Sequence, residues 1–330
     1  MRWMKLLLLL VGLGLLVALV LTNQPAEIFA SMARLSWRLG ILICFPAPLV
    51  MIFDTLGWRF AFLRDSVPFR TLVWVRLAGE AFNLVTPTAA LGGEAIKAWL
   101  LRGTVSLDES IPSIVVAKTT IMIGQGLFLL LGIGVAWHSV LAGSPLLWAM
   151  LGLFVVEVLG LGGFVVAQTR GMFELGRQLL ERFGVSSFGR GHTTRRVDHG
   201  LASFYRHKPR RLMLSIMFHF VAWVLGTLEA YLILRFLGIE ASLPVALVIE
   251  AFGTGVRFVT FVIPGSLGVL EGSYVATFVA LGLSPAAGVS FGLTRRVREL
   301  VWVAIGLVVF AVMRPAPRVP AEITRASGGD

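Results

Sequence analysis

The chain has 330 residues, 57% of them hydrophobic and 14% charged, with 29 Lys plus Arg against 18 Asp plus Glu. This composition excludes an ordinary soluble domain, because its apolar runs approach or exceed the ~20 residues that cross a ~30 Å hydrocarbon core. The formal charge of +11 fits basic loops on one face of a membrane better than nucleic-acid binding, and Cys44, the single cysteine, excludes an intrachain disulfide and a cysteine metal cluster.

In chain order, Arg2 and Lys5 precede an apolar run that predicts an uncleaved first span near 5–22. Further spans are predicted near 39–62, 111–137, 146–168, 211–236 and 286–312. Two apolar regions are interrupted, 71–102 at Pro87 and Gly92-Gly93, and 244–283 at Pro264, Gly265 and Gly268. The expected fold is therefore an all-α polytopic membrane protein of about six spanning helices plus two Pro/Gly-broken segments, re-entrant or paired. One transmembrane domain is expected over 1–312, followed by a flexible cytoplasmic tail, 313–330.

Residues 169–211 carry ten Lys or Arg against Glu174, Glu181 and Asp198, which places this linker in the cytoplasm. Both termini, Arg64, Arg70, Arg102, Arg314 and Arg318 then fall on the same side. The segment 138–145, without Lys or Arg, falls outside, and Arg34 and Arg38 on the outer side are the cost of this orientation. Contact of the linker with anionic lipid is a secondary expectation.

The two interrupted regions resemble each other. Pro264 and Glu271 repeat the seven-residue spacing of Pro87 and Glu94, and Arg295 follows its glutamate at the distance at which Lys118 follows Glu94, all at an offset of 177 residues. Glu80-Ala81-Phe82 recurs as Glu250-Ala251-Phe252 at an offset of 170. With three spans between them, the units point in opposite directions, so the pattern predicts an inverted repeat, 71–137 and 244–312. Broken helices at matching places in such repeats point to a transporter's binding site, since their unpaired backbone groups need protein or a water-filled cavity.

Charges within the apolar regions support that reading. Glu94, Lys97, Lys118, Glu157, Arg257, Glu271, Arg295 and Glu299 are the candidate cavity residues, with Pro87, Gly92, Gly93, Pro264, Gly265 and Gly268 forming the breaks. Each charge costs ~2.5–3.5 kcal/mol at the bilayer centre on insertion scales, so they must face one another, water or a substrate. Glu157, mid-span, has the strongest individual claim. Asp54, Glu80, Glu229, Glu250, Arg296 and Arg298 are further intramembrane charges, Asp54 reading as interfacial; His219 reads equally as a helix contact or a cavity residue. No phosphate loop or zinc-protease motif occurs, and the five histidines form no metal-ligand spacing, so neither cofactor, metal nor catalysis is expected.

The stretches "TPTAALGGEAIKAWLLR" and "IPGSLGVLEGSYVATFVALGLSPAAGVSFGLTRR" resemble the signature regions of the lysylphosphatidylglycerol synthase transmembrane-region family, over roughly 1–312. The resemblance implies a bacterial inner-membrane flippase moving a polar-headgroup lipid between leaflets, the lipid being a phospholipid, glycolipid or polyprenyl-linked molecule. The aminoacyltransferase domain of bifunctional members is not expected after residue 312. Lys118 departs from the arginine expected there. On the flippase reading Glu94 and Lys97 act in the cytoplasmic half, Glu271 and Arg295 in the outer half, and Glu157 between them. The competing readings are a non-transporting scaffold for a lipid-modifying enzyme and a lipid-headgroup enzyme with Glu94 or Glu271 as general base.

Overall fold

The computed structural model describes residues 2–86, 92–139, 143–174 and 191–313, and among these the regular structure is entirely helical. The helices are α1 (Arg2–Thr22), α2 (Pro25–Leu35), α3 (Arg38–Cys44), α4 (Pro46–Phe60), α5 (Phe69–Val85), α6 (Gly92–Leu101) and α7 (Leu107–Trp137). They continue with α8 (Pro145–Thr169), α9 (Gly191–His207), α10 (Pro209–Phe236), α11 (Leu243–Val259), α12 (Val269–Ala280) and α13 (Pro285–Val312). Prolines occupy the first turn of α2, α4, α8, α10, α11 and α13, where the missing N–H costs nothing.

Helices α7, α8, α10 and the joined α3–α4 segment are long and apolar enough to cross a membrane. The chain bends by 96° between α1, which holds the predicted first span, and α2, and α13 runs 28 residues with Arg295, Arg296, Arg298 and Glu299 in its middle. Four of the six expected spans are thus long apolar helices; the first passes the same criterion only together with α2, and α13 fails it. The expected tail, apart from Met313, lies outside the described residues, as does Pro87.

Both interrupted regions are helical hairpins, and they enter from opposite faces. Leu101 and Val105 after the first, and Val67 before it, share an apolar cluster with Phe62, Phe204, Leu212 and Met313. Leu237 and Val245 before the second, and Leu281 and Leu283 after it, share another with Ala136 and Leu146. α7 begins beside the first cluster and ends in the second, so the two hairpins have their ends toward opposite ends of α7. The long helix of each unit packs on the first helix of the other, α13 along α5 and α7 along α11, with α4 and α10 crossing at the centre. This is the reciprocal arrangement an inverted repeat requires.

Close approach makes the contacts possible. In the first hairpin Gly79 and Gly93 face each other, and a Cβ on Gly93 would lie 2.0 Å from the Gly79 carbonyl oxygen. Between α4 and α10, Gly57 leaves room for His219, which joins three helices by bonds to Thr120 Oγ1 (3.0 Å) and the Asp54 carbonyl (3.2 Å). His219 is thereby a helix contact and does not line the cavity described below.

Within the linker, residues 175–190 lie outside the described residues, and α9 is amphipathic. Val197, Leu201 and Phe204 are buried while Arg195 and Arg196 are exposed. Tyr205 donates to Gln168 Oε1 (2.6 Å), tying α9 to α8. Nearby, Arg211 donates to Asp65 Oδ1 (2.8 Å) from the start of α10 to the α4–α5 loop, and this bond holds the Asp65 carboxyl below its ordinary range.

Two outcomes follow. Gly93→Ala overpacks the hairpin at a cost of about 1–3 kcal/mol or more, lowering the melting temperature in detergent, whereas Gly134→Ala, which meets nothing within 4 Å, leaves it unchanged. Asp65 contributes stability above the ordinary carboxylate pKa that is lost as pH falls through its depressed value, so melting curves of wild type and Asp65→Asn differ slightly at neutral pH and converge in acid. The difference is small because the Asp65 side chain is 46% exposed.

Candidate functional site

Around the first hairpin, Lys97 on α6 is buried and bridges Glu80 on α5 (Nζ to Oε1 2.8 Å) and Glu94 on its own helix (3.2 Å to Oε2). Asn83 donates weakly to both glutamates (3.5 and 3.4 Å), and its Oδ1 accepts from the Gly93 N–H (2.8 Å). That bond satisfies one donor freed where the helix restarts. Lys118 on α7 stands 3.9 Å from Glu94. One turn before Glu80, Arg76 bonds Asp54 on α4 (3.0 Å) and approaches Glu80 (3.9 Å).

Around the second hairpin three cations come from α13 and one, Arg257, from α11. Arg295 presents its guanidinium fork to both oxygens of Glu250, the Nη2–Oε1 bond measuring 3.0 Å, and donates through Nη1 to Tyr274 OH (2.9 Å). Its Nε lies 3.5 Å from Glu229 on α10, whose same oxygen is 2.8 Å from Arg298 Nε. Arg296 turns the other way, to Glu271 (2.6 Å), the Gly265 carbonyl (3.0 Å) and Glu299 (2.9 Å). Glu299 in turn accepts from Arg257 on α11 (2.8 Å). At the break, Gly265 and Gly268 have φ of 58° and 78°, conformations that disfavour any side chain, and the Gly268 N–H donates to Glu271 Oε2 (2.7 Å). Arg296 therefore caps the carbonyl end of the break while Glu271 caps its N–H end.

A cavity of about 290 Å³ lies between the two clusters, walled by α4, α5, α10, α11, α12 and α13. Asp54, Arg76, Glu80, Glu229, Glu250, Arg257, Arg295, Arg298 and Glu299 line it, with Tyr274, Trp223 and Trp302. Every one of these charges has an opposite partner within 4 Å. Glu80 and Arg257 are the most open, with side chains 41% and 35% exposed. The site is a ring of neutralised charges of both signs, able to exchange an internal partner for a polar guest.

Of the residues expected from sequence, Arg257, Arg295 and Glu299 line the cavity. Glu94, Lys97 and Lys118 stand behind Glu80, and Glu271 stands behind Glu299 through Arg296. Gly93, Gly265 and Gly268 shape the hairpins, Gly92 opens α6, and Pro264 starts the single 3-10 turn at the second break. Glu157 is displaced from the expected place: α8 packs outside the cavity walls, and its carboxylate faces Gly126 of α7. Glu271 and Arg295, both expected in the outer half, do not meet, because the hundred-degree step between successive helix positions sends Arg295 toward Glu250 and leaves Arg296 for Glu271. Asp54 lines the cavity instead of lying at the interface. Arg76 and Tyr274 escaped notice, while the Glu80 and Glu250 tripeptides were the signal that marked two central cavity groups.

The family model described as the lysylphosphatidylglycerol synthase TM region matches residues 3–307. A "UPF0104 membrane protein" of Methanothermobacter thermautotrophicus is 23% identical over 328 residues, spanning 92% of this chain and 94% of its own. No solved structure matches.

Arg295→Ala leaves Glu250 and Glu229 without their shared partner, and the expected loss is about 3–5 kcal/mol, as for breaking a buried ion pair. Arg295→Lys keeps the charge but not the fork and falls between this variant and wild type in thermal unfolding.

Proposed function

The chain belongs to the lysylphosphatidylglycerol synthase TM region family of membrane proteins, and we propose that it is a flippase, moving a polar-headgroup lipid between leaflets through the charged cavity. The observation that supports this most is the cavity itself, bounded by elements of two hairpins that enter from opposite faces. A channel for ions has no use for so many internally paired charges, and a merely structural bundle gains little from them, since buried ion pairs contribute weakly to stability.

On this reading a headgroup enters at Glu80 or Arg257, the most open charges, and trades places with one member of an existing pair. The acyl chains stay in the surrounding lipid. Rocking of one hairpin unit against the other exposes the cavity to each side in turn. On this reading the protein sits in the cytoplasmic membrane with the basic linker and α9 on its cytoplasmic side. No bond-breaking step is assigned.

The test is leaflet exchange of headgroup-labelled phospholipids and glycolipids in liposomes, for wild type, Glu80→Gln and Arg257→Gln matched for folding. Removing one charge-assisted contact worth ~1.5–3 kcal/mol predicts roughly a ten- to hundredfold slower exchange for either variant. Exchange at the wild-type rate in both would move the path away from this cavity. Absence of exchange for every lipid class, with wild type correctly folded, would favour the scaffold or enzyme reading.

A further inference from the structure

One buried ionisable group takes no part in the network. Glu157 is the only charged residue of α8 and sits at the middle of that 25-residue helix. It is 1% exposed, and neither carboxylate oxygen has a hydrogen-bond partner. Opposite it on α7 stands Gly126, where an added Cβ would lie 3.7 Å from the carboxyl carbon, so the glycine makes the pocket in which the carboxyl rests.

Among the described residues, the ionisable groups of the helices packed against α8 are paired elsewhere or face away. On α7, Lys118 is directed to Glu94, and Asp108 and Glu109, in the first turn, pair with Arg196 and Arg64. On α11, Glu250 holds Arg295 and Arg257 holds Glu299. On α12, Glu271 is bound to Arg296 and the Gly268 N–H, while Tyr274 accepts from Arg295. On α9, Tyr205 serves Gln168, Asp198 caps the N–H groups of Phe173 and Glu174, Arg195 and Arg196 reach Glu174 and Asp108, and the exposed His199, Arg206 and His207 face away. Among the described residues none of these has Glu157 as a partner.

We propose that Glu157 is a proton-binding site whose loading controls the docking of α8 against α7. The carboxylate takes a proton from hydronium and releases water, giving a neutral acid that fits the pocket at Gly126. Giving the proton back leaves an anion with no counter-charge at membrane depth, an arrangement relieved only when α8 moves and admits water. Of the four long apolar spans α8 is the least enclosed, with 11% of its most apolar window buried against 56% for α7, so such a shift disturbs little of the core. Coupling of this site to lipid exchange rests on the flippase reading; the proton site itself does not.

Infrared difference spectra of the reconstituted protein between acidic and alkaline buffer read the site directly. A carbonyl stretch of a neutral carboxylic acid is expected to appear in acid and to be lost in Glu157→Gln. Gly126→Ala, which adds only ordinary van der Waals contact, is expected to shift that band without loss of fold, keeping the assignment testable if the glutamine variant misfolds. Wild-type and Glu157→Gln spectra that agree in this region, or a band that Gly126→Ala leaves unmoved, would overturn the proposal. In the exchange assay the pH dependence is expected to flatten in Glu157→Gln while exchange persists; an unchanged pH profile would overturn the coupling. Failure of all exchange would count against the flippase reading and leave the infrared result standing.

Discussion

An ionised side chain inside hydrocarbon is tolerated only when an opposite charge or water accompanies it, and the centre of this molecule is organised by that requirement. Glu250 and Arg295 show how far it reaches. Their two-point contact fixes α11 against α13, Tyr274 adds α12, and Glu229 adds α10, so one guanidinium collects four elements. The same pairing that makes the charges affordable also positions the walls of the cavity. Backbone polarity follows the same rule: the Gly93 and Gly268 N–H groups donate to Asn83 and Glu271, and the Gly265 carbonyl accepts from Arg296.

The two halves solve this requirement differently. Position 296 corresponds to Thr119 at the repeat offset, and Thr119 bonds Gln168 and Tyr205 instead of reaching a hairpin. The second hairpin is therefore fastened from outside, by Arg296 of α13 to Glu271 and the Gly265 carbonyl. The first is braced from inside, by Lys97 between α5 and α6, and Lys118 of its own long helix approaches Glu94 to 3.9 Å. An inverted repeat that supplies matching architecture thus carries unequal attachments.

Much of this was legible in the residues. The Pro/Gly breaks, the repeated glutamates and the length of the apolar runs are local features, and they identified both hairpins, their opposite directions and the helices between them. What the sequence could not supply was azimuth. Whether Arg295 or Arg296 meets Glu271 depends on the rotation of α13 about its axis, which is fixed by packing of Gly306 against the Leu77 carbonyl (a Cβ there would lie 2.6 Å from it) and of Gly292 against Glu271. Glu157 was misplaced for a related reason. Its mid-span position is visible in sequence, but whether α8 stands inside or outside the ring of cavity helices depends on contacts among distant elements.

These features together constrain how the molecule can move. Opening between the second hairpin and α13 has to separate Arg296 from Glu271 and the Gly265 carbonyl at once, the first of them a carboxylate in a low-dielectric setting. Opening between the first hairpin and α7 separates the long Lys118–Glu94 ion pair, whose cation is already 39% exposed. The cost of motion is therefore concentrated on one side. The internal brace of Lys97 lets α5 and α6 travel as a unit without exposing Glu80 and Glu94 to hydrocarbon unpaired. A displacement of that unit carries Glu80 and Arg76 with it and changes the cavity wall facing Arg257, so the unequal fastening and the accessible charges belong to the same physical design.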